Sequence, residues 1–221
     1  EMDRSPAVVL GDGLPTALSP DGNWVAALDY HEPANVVLLP TGVGKPKQLT
    51  SNGWEYTRGM YWMPNSTTLL VNAIQPSKNS RVFSLDVSNG EMRPVLPEGI
   101  RGGWPSPDGK LLLGLDGQTP KTYSMGGGGV VGVLPNLGSD DQIDRWAADG
   151  KSLFIWNYTT MCRLDRLDIA SGKRAPLFTI SPPDRTGIVG FNFCRTSKDG
   201  TAHTYSAYRL LTDLFVVNGL R

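Results

Sequence analysis

Histidine and cysteine are scarce in this sequence, two of each, and they stand apart: His31, His203, Cys162 and Cys194. No H-x-x-x-H or C-x-x-C cluster exists, so the usual zinc frameworks are excluded and no cofactor is expected. Net charge is lacking as well. Twenty-one basic residues balance twenty-one acidic ones, and neither sign gathers in a long block. Nucleic-acid binding draws its affinity from Lys and Arg meeting phosphates, so this balance argues against such a partner. It argues equally against a polybasic membrane surface. No segment approaches the eighteen apolar residues that read as a membrane span, so no membrane insertion is expected. The first thirty residues show no charged region followed by an apolar one, so no signal peptide is visible.

What is abundant is turn chemistry. Gly 26 and Pro 17 together approach a fifth of the chain, as many tight turns between short strands require. Five times a short apolar run meets a tight turn and a second apolar run follows. The turns fall at Asp21-Gly22, Asn65-Ser66, Asp108-Gly109, Asp149-Gly150 and Asp199-Gly200, at intervals of 44, 43, 41 and 50 residues. Two-residue Asp-Gly turns favour hairpins whose twist matches the flanking strands. A period in the low forties, with strands rather than helices between the turns, marks β-propeller blades.

The expected fold is therefore all-β, a single domain over 1–221 of about five four-stranded antiparallel blades. They fall at about 14–50, 57–97, 102–135, 142–180 and 188–217, with a further strand at 6–10. First strands are predicted at Leu14–Ser19, Gly59–Met63, Gly103–Ser106, Ile143–Ala147 and Gly190–Thr196. Second strands such as Trp24–Tyr30 and Lys110–Leu115 are almost continuously apolar, as burial on both faces demands. The last unit has strands at Ala202–Tyr208 and Leu214–Val217 but lacks a fourth, while an orphan strand, Ala7–Leu10, opens the chain. The expectation is that Ala7–Leu10 completes the last blade and pairs two exposed edges. Cys162 opens a third strand and Cys194 lies in the first strand of the next blade. One disulfide is possible, but strands in different layers predict two buried thiols, and the compartment stays open.

Leu18-Ser19-Pro20-Asp21-Gly22-Asn23-Trp24-Val25-Ala26 and Pro105-Ser106-Pro107-Asp108-Gly109-Lys110-Leu111-Leu112 resemble the repeats of TolB-like, WD-repeat-like β-propellers. Asn65-Ser66, Ala148-Asp149-Gly150-Lys151 and Ser197-Lys198-Asp199-Gly200 are looser copies, so the resemblance covers essentially the whole chain. The ending from Tyr205 to Arg221 is similar to that of propellers in bacterial receptor-like Ser/Thr protein kinases. That resemblance implies a sensor or interaction module in a signalling protein. It favours a periplasmic or extracytoplasmic location, with a cytoplasmic one also open. The kinase itself is absent from these residues: there is no Gly-rich nucleotide loop, no His-Arg-Asp and no Asp-Phe-Gly. Propellers of this kind usually have six or more blades, and five are visible.

Catalysis finds little support. There is no G-x-S-x-G elbow, and the two possible bases fall in a turn (His31) and inside a predicted strand (His203). The densest acidic stretch, Ser139-Asp140-Asp141-Gln142-Ile143-Asp144, offers oxygens for a hard cation, but reads better as a solvated loop whose side chains cap local turns. Glycoside hydrolysis needs two carboxylates, and the predicted first strands supply only Asp144 clearly. The glycines at 126–129 precede a strand rather than a helix, so they read as a hairpin turn and not a phosphate loop.

The connections from the last strand of one blade to the first of the next gather at one rim of a propeller. Loops on a rigid scaffold are where binding residues collect. Here they carry Trp54, Glu55, Tyr56, Arg58, Arg101, Asp140, Asp141, Asp184 and Arg185, with Asp144 and Arg145 following on a first strand. Aromatic and Arg side chains anchor interfaces, so the expected partner is a protein, a peptide or a polar small molecule at the rim. Structural pairing of Arg and Asp between adjacent blades is the competing reading of the same residues. Trp62, Trp104 and Trp146, near the ends of first strands, are expected to wedge between blades. The expected function is a non-catalytic interaction or sensor module. The alternatives are a glycan-acting hydrolase using the central funnel, or the accessory propeller of a serine peptidase.

Overall fold

The computed structural model describes residues 8–134, 137–158, 161–182 and 184–212. All regular structure among them is strand. The first sheet is a meander of β1 (Leu14–Leu18), β2 (Trp24–Leu28), β3 (Val36–Pro40) and β4 (Lys47–Gln48). The second has β5 (Glu55–Trp62), β6 (Thr68–Ile74), β7 (Ser80–Asp86) and β8 (Met92–Pro94). The third has β9 (Arg101–Pro105), β10 (Leu111–Asp116), β11 (Thr119–Ser124) and β12 (Val130–Val133). The fourth has β13 (Asp141–Trp146), β14 (Ser152–Tyr158), β15 (Cys162–Asp168) and β16 (Arg174–Ile180). The fifth shows β17 (Ile188–Thr196) and β18 (His203–Arg209), and the strand expected at Leu214–Val217 lies outside the described residues. Four successive four-stranded antiparallel meanders, followed by the β17–β18 pair, make this a β-propeller fold of five blades. The chain divides into two compact units: 1–136, with the first three sheets, and 137–221, with the last two.

One expectation fails. Ala7 lies outside the described residues, and Val8–Leu10 form no strand. Val8 and Val9 are 81% and 86% exposed, while Leu10 rests on the Ala27, Val37 and Leu39 face of the first sheet. Leu10 thus packs beside the first blade, and the Leu214–Val217 segment that the expected strand would join lies outside the described residues.

The turn motif has a hydrogen-bond logic. In the first blade the Ser19 hydroxyl donates to Asp21 (2.5 Å) and accepts from the Trp24 N–H (2.9 Å), while the Asn23 N–H donates to the same carboxylate. Ser106 and Asp108 repeat this with the N–H groups of Lys110 and Leu111; Ser197 and Asp199 repeat it with those of Thr201 and Ala202. Asn65 substitutes for the carboxylate in the second blade, accepting from the Thr67 and Thr68 N–H groups. In the fourth, Ala147 replaces the serine, and Ser152 reaches Asp149 from the other side. The motif is thus a side-chain clasp on a hairpin, in which each serine seals two chain directions.

The second strands earn their apolar character from two cores. Leu69, Val71 and Ala73 point to a cluster shared with Ala26, Leu28, Val36 and Leu38 of the first sheet. Leu70, between them, points to one shared with Ile100, Leu112 and Tyr123 of the third. All four β6 side chains are fully buried, and each larger one contributes roughly 2 kcal/mol of apolar burial. Phe154, Trp156 and Leu164 form a third core with Cys194.

Polar bonds stitch neighbouring blades. The Trp62 indole donates to the Ala17 carbonyl (3.1 Å), and Tyr61 packs against Trp104 at 5.2 Å, as expected of wedging aromatics. The buried Asn72 amide donates to the carbonyls of Gly59 (2.8 Å) and Gly102 (2.7 Å) and accepts from the Gly102 N–H (3.1 Å). The Thr196 N–H donates to Asp144 (2.8 Å), joining the fifth blade to the fourth.

Every first strand carries an irregularity in its pairing with the second. Thr16 is the extra residue in β1, Gly103 in β9 and Asp144 in β13; β5 loses register between Tyr56 and Met60, and β17 between Asn192 and Arg195. Such bulges bend a strand and re-aim side chains. They also explain why β5, β9, β13 and β17 begin two to four residues earlier than the apolar pattern indicates. The pattern is in phase only after the bulge.

Two outcomes test this account. Asn72→Ala strands a half-buried Gly102 N–H and two carbonyls, and should cost about 2 kcal/mol in urea unfolding; a loss below about 0.5 kcal/mol would remove Asn72 as a stitch. Ser197, first, and Thr201 hold Asp199 down to about 2, below the ~3.9 of an unfolded Asp. Its ionised form therefore supports the fold above about pH 4, and that support is lost as pH falls toward 2. Ser197→Ala should move the acid-unfolding midpoint, followed by circular dichroism, to higher pH. An unmoved midpoint contradicts the clasp.

Candidate functional site

In the first unit the expected rim residues divide between packing and exposure. Trp54 lies against Phe83, ring centroids 5.2 Å apart, on the core between the first two sheets. Asn52 holds this turn, accepting from the Trp54 N–H (3.1 Å) and the Tyr56 hydroxyl (2.9 Å). Tyr56 also reaches Met92 Sδ at 3.4 Å, and burial pushes its phenol above the ordinary range. Glu55 is exposed and pairs through its backbone with Ile74. Arg58 lies in β5, within the bulge. Arg101 is exposed at the start of β9 and donates to the Gly117 carbonyl (3.1 Å). The two aromatics thus have structural work that the sequence did not disclose.

In the second unit Asp144 and Arg145 come together with Arg195, a residue that sequence reasoning missed. The Asp144 side chain is 0% exposed, on the bulge of β13. Oδ2 accepts the Thr196 N–H and lies 3.9 Å from Arg145 Nε; Oδ1 lies 3.9 Å from Arg195 Nη1. Burial raises the Asp144 carboxyl above its ordinary range, although both guanidiniums and Thr196 oppose that. Arg145 and Arg195 remain 38% and 57% exposed. A carboxylate beneath two solvent-facing guanidiniums neutralises one of them and leaves a cationic fork at the surface. Arg195 could have been found only by aligning it with the bulge, four residues before Asp199 as Arg145 is before Asp149.

The acidic stretch is split by the strand. Asp140 is exposed, its carbonyl accepting the Tyr158 N–H (3.2 Å). Asp141 is buried, bonded by Gly138 N–H (2.7 Å), Asn157 (3.0 Å) and Arg174. Burial alone would raise Asp141, but these donors together hold it below the carboxylate range. Arg174 also lies 4.0 Å from Asp165, which Arg163 bonds at 2.8 Å. This is charge pairing within one blade, where the sequence suggested pairing between adjacent blades, and Asp141 is a buried strand residue rather than part of a solvated loop. Among the described residues no three His, Cys, Asp or Glu side chains are grouped to hold a metal ion.

Asp184 and Arg185 serve their own loop. Arg209 donates to the Asp184 carboxylate (2.6 Å) and carbonyl (2.8 Å), and with Thr186 holds that carboxyl far below its usual range. Arg185 donates to Ser181 (2.8 Å) and Met161 Sδ (3.4 Å). His31 is tied to Asp29 at 3.0 Å, and His203 stacks on Phe178 at 3.9 Å between centroids. The glycines at 126–129 make the β11–β12 turn, closed by Ser124 N–H to the Gly129 carbonyl (2.9 Å).

The structure is similar to TolB from Acinetobacter baumannii, with TM-score 0.65 and 20% identity, over 88% of this chain and 54% of that one. A TolB-type protein from Agrobacterium tumefaciens gives TM-score 0.66 and 18% identity, over 87% of this chain and 73% of that one. The β-propeller domain of Cps50 (Swd1) from Myceliophteria thermophila gives 0.54 and 16%, over 90% and 64%. The chain therefore has the TolB- and WD40-like β-propeller fold, and it spans about half the length of the A. baumannii protein. No protein-family model matches it. No curated protein matches it either.

The two kinds of rim residue should separate on substitution. Trp54→Ala removes a ring from the core edge and should cost about 2–3 kcal/mol. Arg101→Ala should stay within about 1 kcal/mol. Equal effects on thermal unfolding would show that Trp54 is not part of the packing.

Proposed function

We propose that this chain is a non-catalytic protein-interaction propeller, an accessory or sensor module of a bacterial signalling protein, and that it takes an acidic peptide segment of its partner. The observation that carries the reading is the Asp144–Arg145–Arg195 arrangement. A fully buried carboxylate lies 3.9 Å from each of two part-exposed guanidiniums on the first strands of consecutive blades, close enough to attract both without hydrogen-bonding either, and Arg195 is held by the Cys194 carbonyl (2.9 Å). Arg binds carboxylates through paired N–H groups, and a side chain held in place loses less entropy on binding than a mobile one. With Asp144 ionised, one positive charge of the three groups is uncompensated, which selects an anionic group. The TolB- and WD40-like fold supports the class, and the similarity of the chain's ending to kinase-linked propellers supports the signalling setting.

The test is a peptide array of acidic, neutral and basic dodecamers probed with the protein. Acidic peptides should be retained selectively. Retention should fall at least tenfold in Asp144→Asn/Arg145→Gln/Arg195→Gln, which removes the buried charge along with its partners. Asp144→Asn alone keeps one oxygen to accept the Thr196 N–H and leaves both guanidiniums in the protein, and should retain binding. Equal retention of all three peptide classes, or undiminished binding by a folded triple variant, would refute the reading.

A further inference from the structure

We infer that Cys162 and Cys194 form a dithiol–disulfide site whose oxidation staples the fourth blade to the fifth. Their sulfurs lie 3.0 Å apart, and both side chains are fully enclosed. They stand as thiols in this structure. A disulfide holds its sulfurs at about 2.05 Å, so closure requires a movement of about 1 Å.

Two buried thiols are found, as expected, but the placement on a third strand and a first strand does not separate them. Cys194 falls at the bulge of β17, five residues before Asp199, as Gly103 falls five before Asp108 at the bulge of β9. A Cβ built on Gly103 would stand 2.9 Å from Val82 Cγ1, on the third strand of the preceding blade. The bulge thus turns its residue against that third strand. Cys162 opens β15, the third strand of the fourth blade. The two cysteines occupy the two sides of a contact that the fold repeats, so the encounter is built in by topology. No separate loop has to move to bring them together.

The surroundings decide when the bond can form. Phe154, Trp156, Leu164 and Ile180 wall the pair, and burial, with the neighbouring sulfur, pushes the Cys162 thiol far up. The assembled fold therefore holds little Cys162 thiolate, and with both sulfurs enclosed the pair reacts slowly with an external oxidant. The bond is made while β17 is docking, or when it opens locally, by exchange with a small-molecule disulfide or that of a thiol oxidoreductase. One cysteine sulfur attacks the oxidant's S–S bond, forming a mixed disulfide and releasing one thiol. The other cysteine sulfur then displaces the second thiol. Two S–H bonds are lost and one S–S bond is formed. The protons end on the two released thiols, and the oxidant takes up two electrons. The closed loop contains β16 and the Asp184–Arg185 segment. It anchors β17 one residue before Arg195, so oxidation would fix one arm of the cationic fork.

The experiment is to refold the 221-residue chain in a reduced/oxidised glutathione mixture, denature it, alkylate it and weigh it. The expected product is a monomer about 2 Da lighter than the reduced chain, unalkylated, with a Cys162–Cys194 peptide in the unreduced digest. Its Tm should stand about 5–10 °C above that of the dithiothreitol-treated protein. Cys162→Ala/Cys194→Ala should melt at one temperature with or without reductant. Full alkylation of both cysteines, a disulfide-linked dimer, or an equal reductant effect in the alanine variant would each overturn the proposal. The mass measurement needs no variant to fold.

Discussion

The constraint on which the structure depends is that a blade's second strand must bury both faces. In β6 alternate residues face different neighbours, Leu69 and Val71 one core and Leu70 the other. Neither core exists unless the adjacent sheet is present. Stability in such a fold is therefore an interface property between blades, and the buried polar groups follow the same logic. Asn72 and Asp144 both sit on one blade and satisfy backbone groups on the next. The Gly102 and Thr196 N–H groups each become the partner of a side chain on the preceding blade, so neither of these two backbone donors is left without an acceptor.

The bulge in every first strand is the second organising device. It breaks the alternation of side chains in each first strand and turns a residue out of the plain sheet pattern. Where that residue is small, as at Gly103, it admits close packing against Val82. Where it is Asp144 or Cys194, chemistry appears: a buried carboxylate beneath two guanidiniums, and a thiol against a thiol. The same position in the repeat thus carries packing in one blade and reactivity or recognition in another. Function enters a repeat fold by substitution at a point where geometry already aims the side chain at a neighbour.

How much of this was readable varies residue by residue. The Ser-Pro-Asp-Gly signature disclosed the hairpins because its hydrogen bonds are local, spanning five residues from Ser19 to Trp24. Trp62 and Trp104 were rightly placed between blades, since a large aromatic near the end of a first strand has few other places to go. Trp54 and Tyr56 were read as candidate contacts for a partner, yet they pack on Phe83 and Met92, residues some thirty positions away that no local pattern connects to them. Arg195 was passed over for a related reason: its partner Asp144 lies on another blade. The orphan strand at Ala7–Leu10 was inferred from a vacancy in the pattern, and Leu10 instead found a face of the first sheet.

The sequence by itself determined the repeat, the class of strand in each position and the turns that join them, because turn chemistry and apolar alternation act over a few residues. Only the tertiary structure decided which side chains meet across blades: Asn72 with Gly102, Asp144 with Arg195, Cys162 with Cys194. Those meetings depend on bulges and on the stacking of one twisted sheet upon the next. A one-residue slip in either would reverse which face a side chain takes.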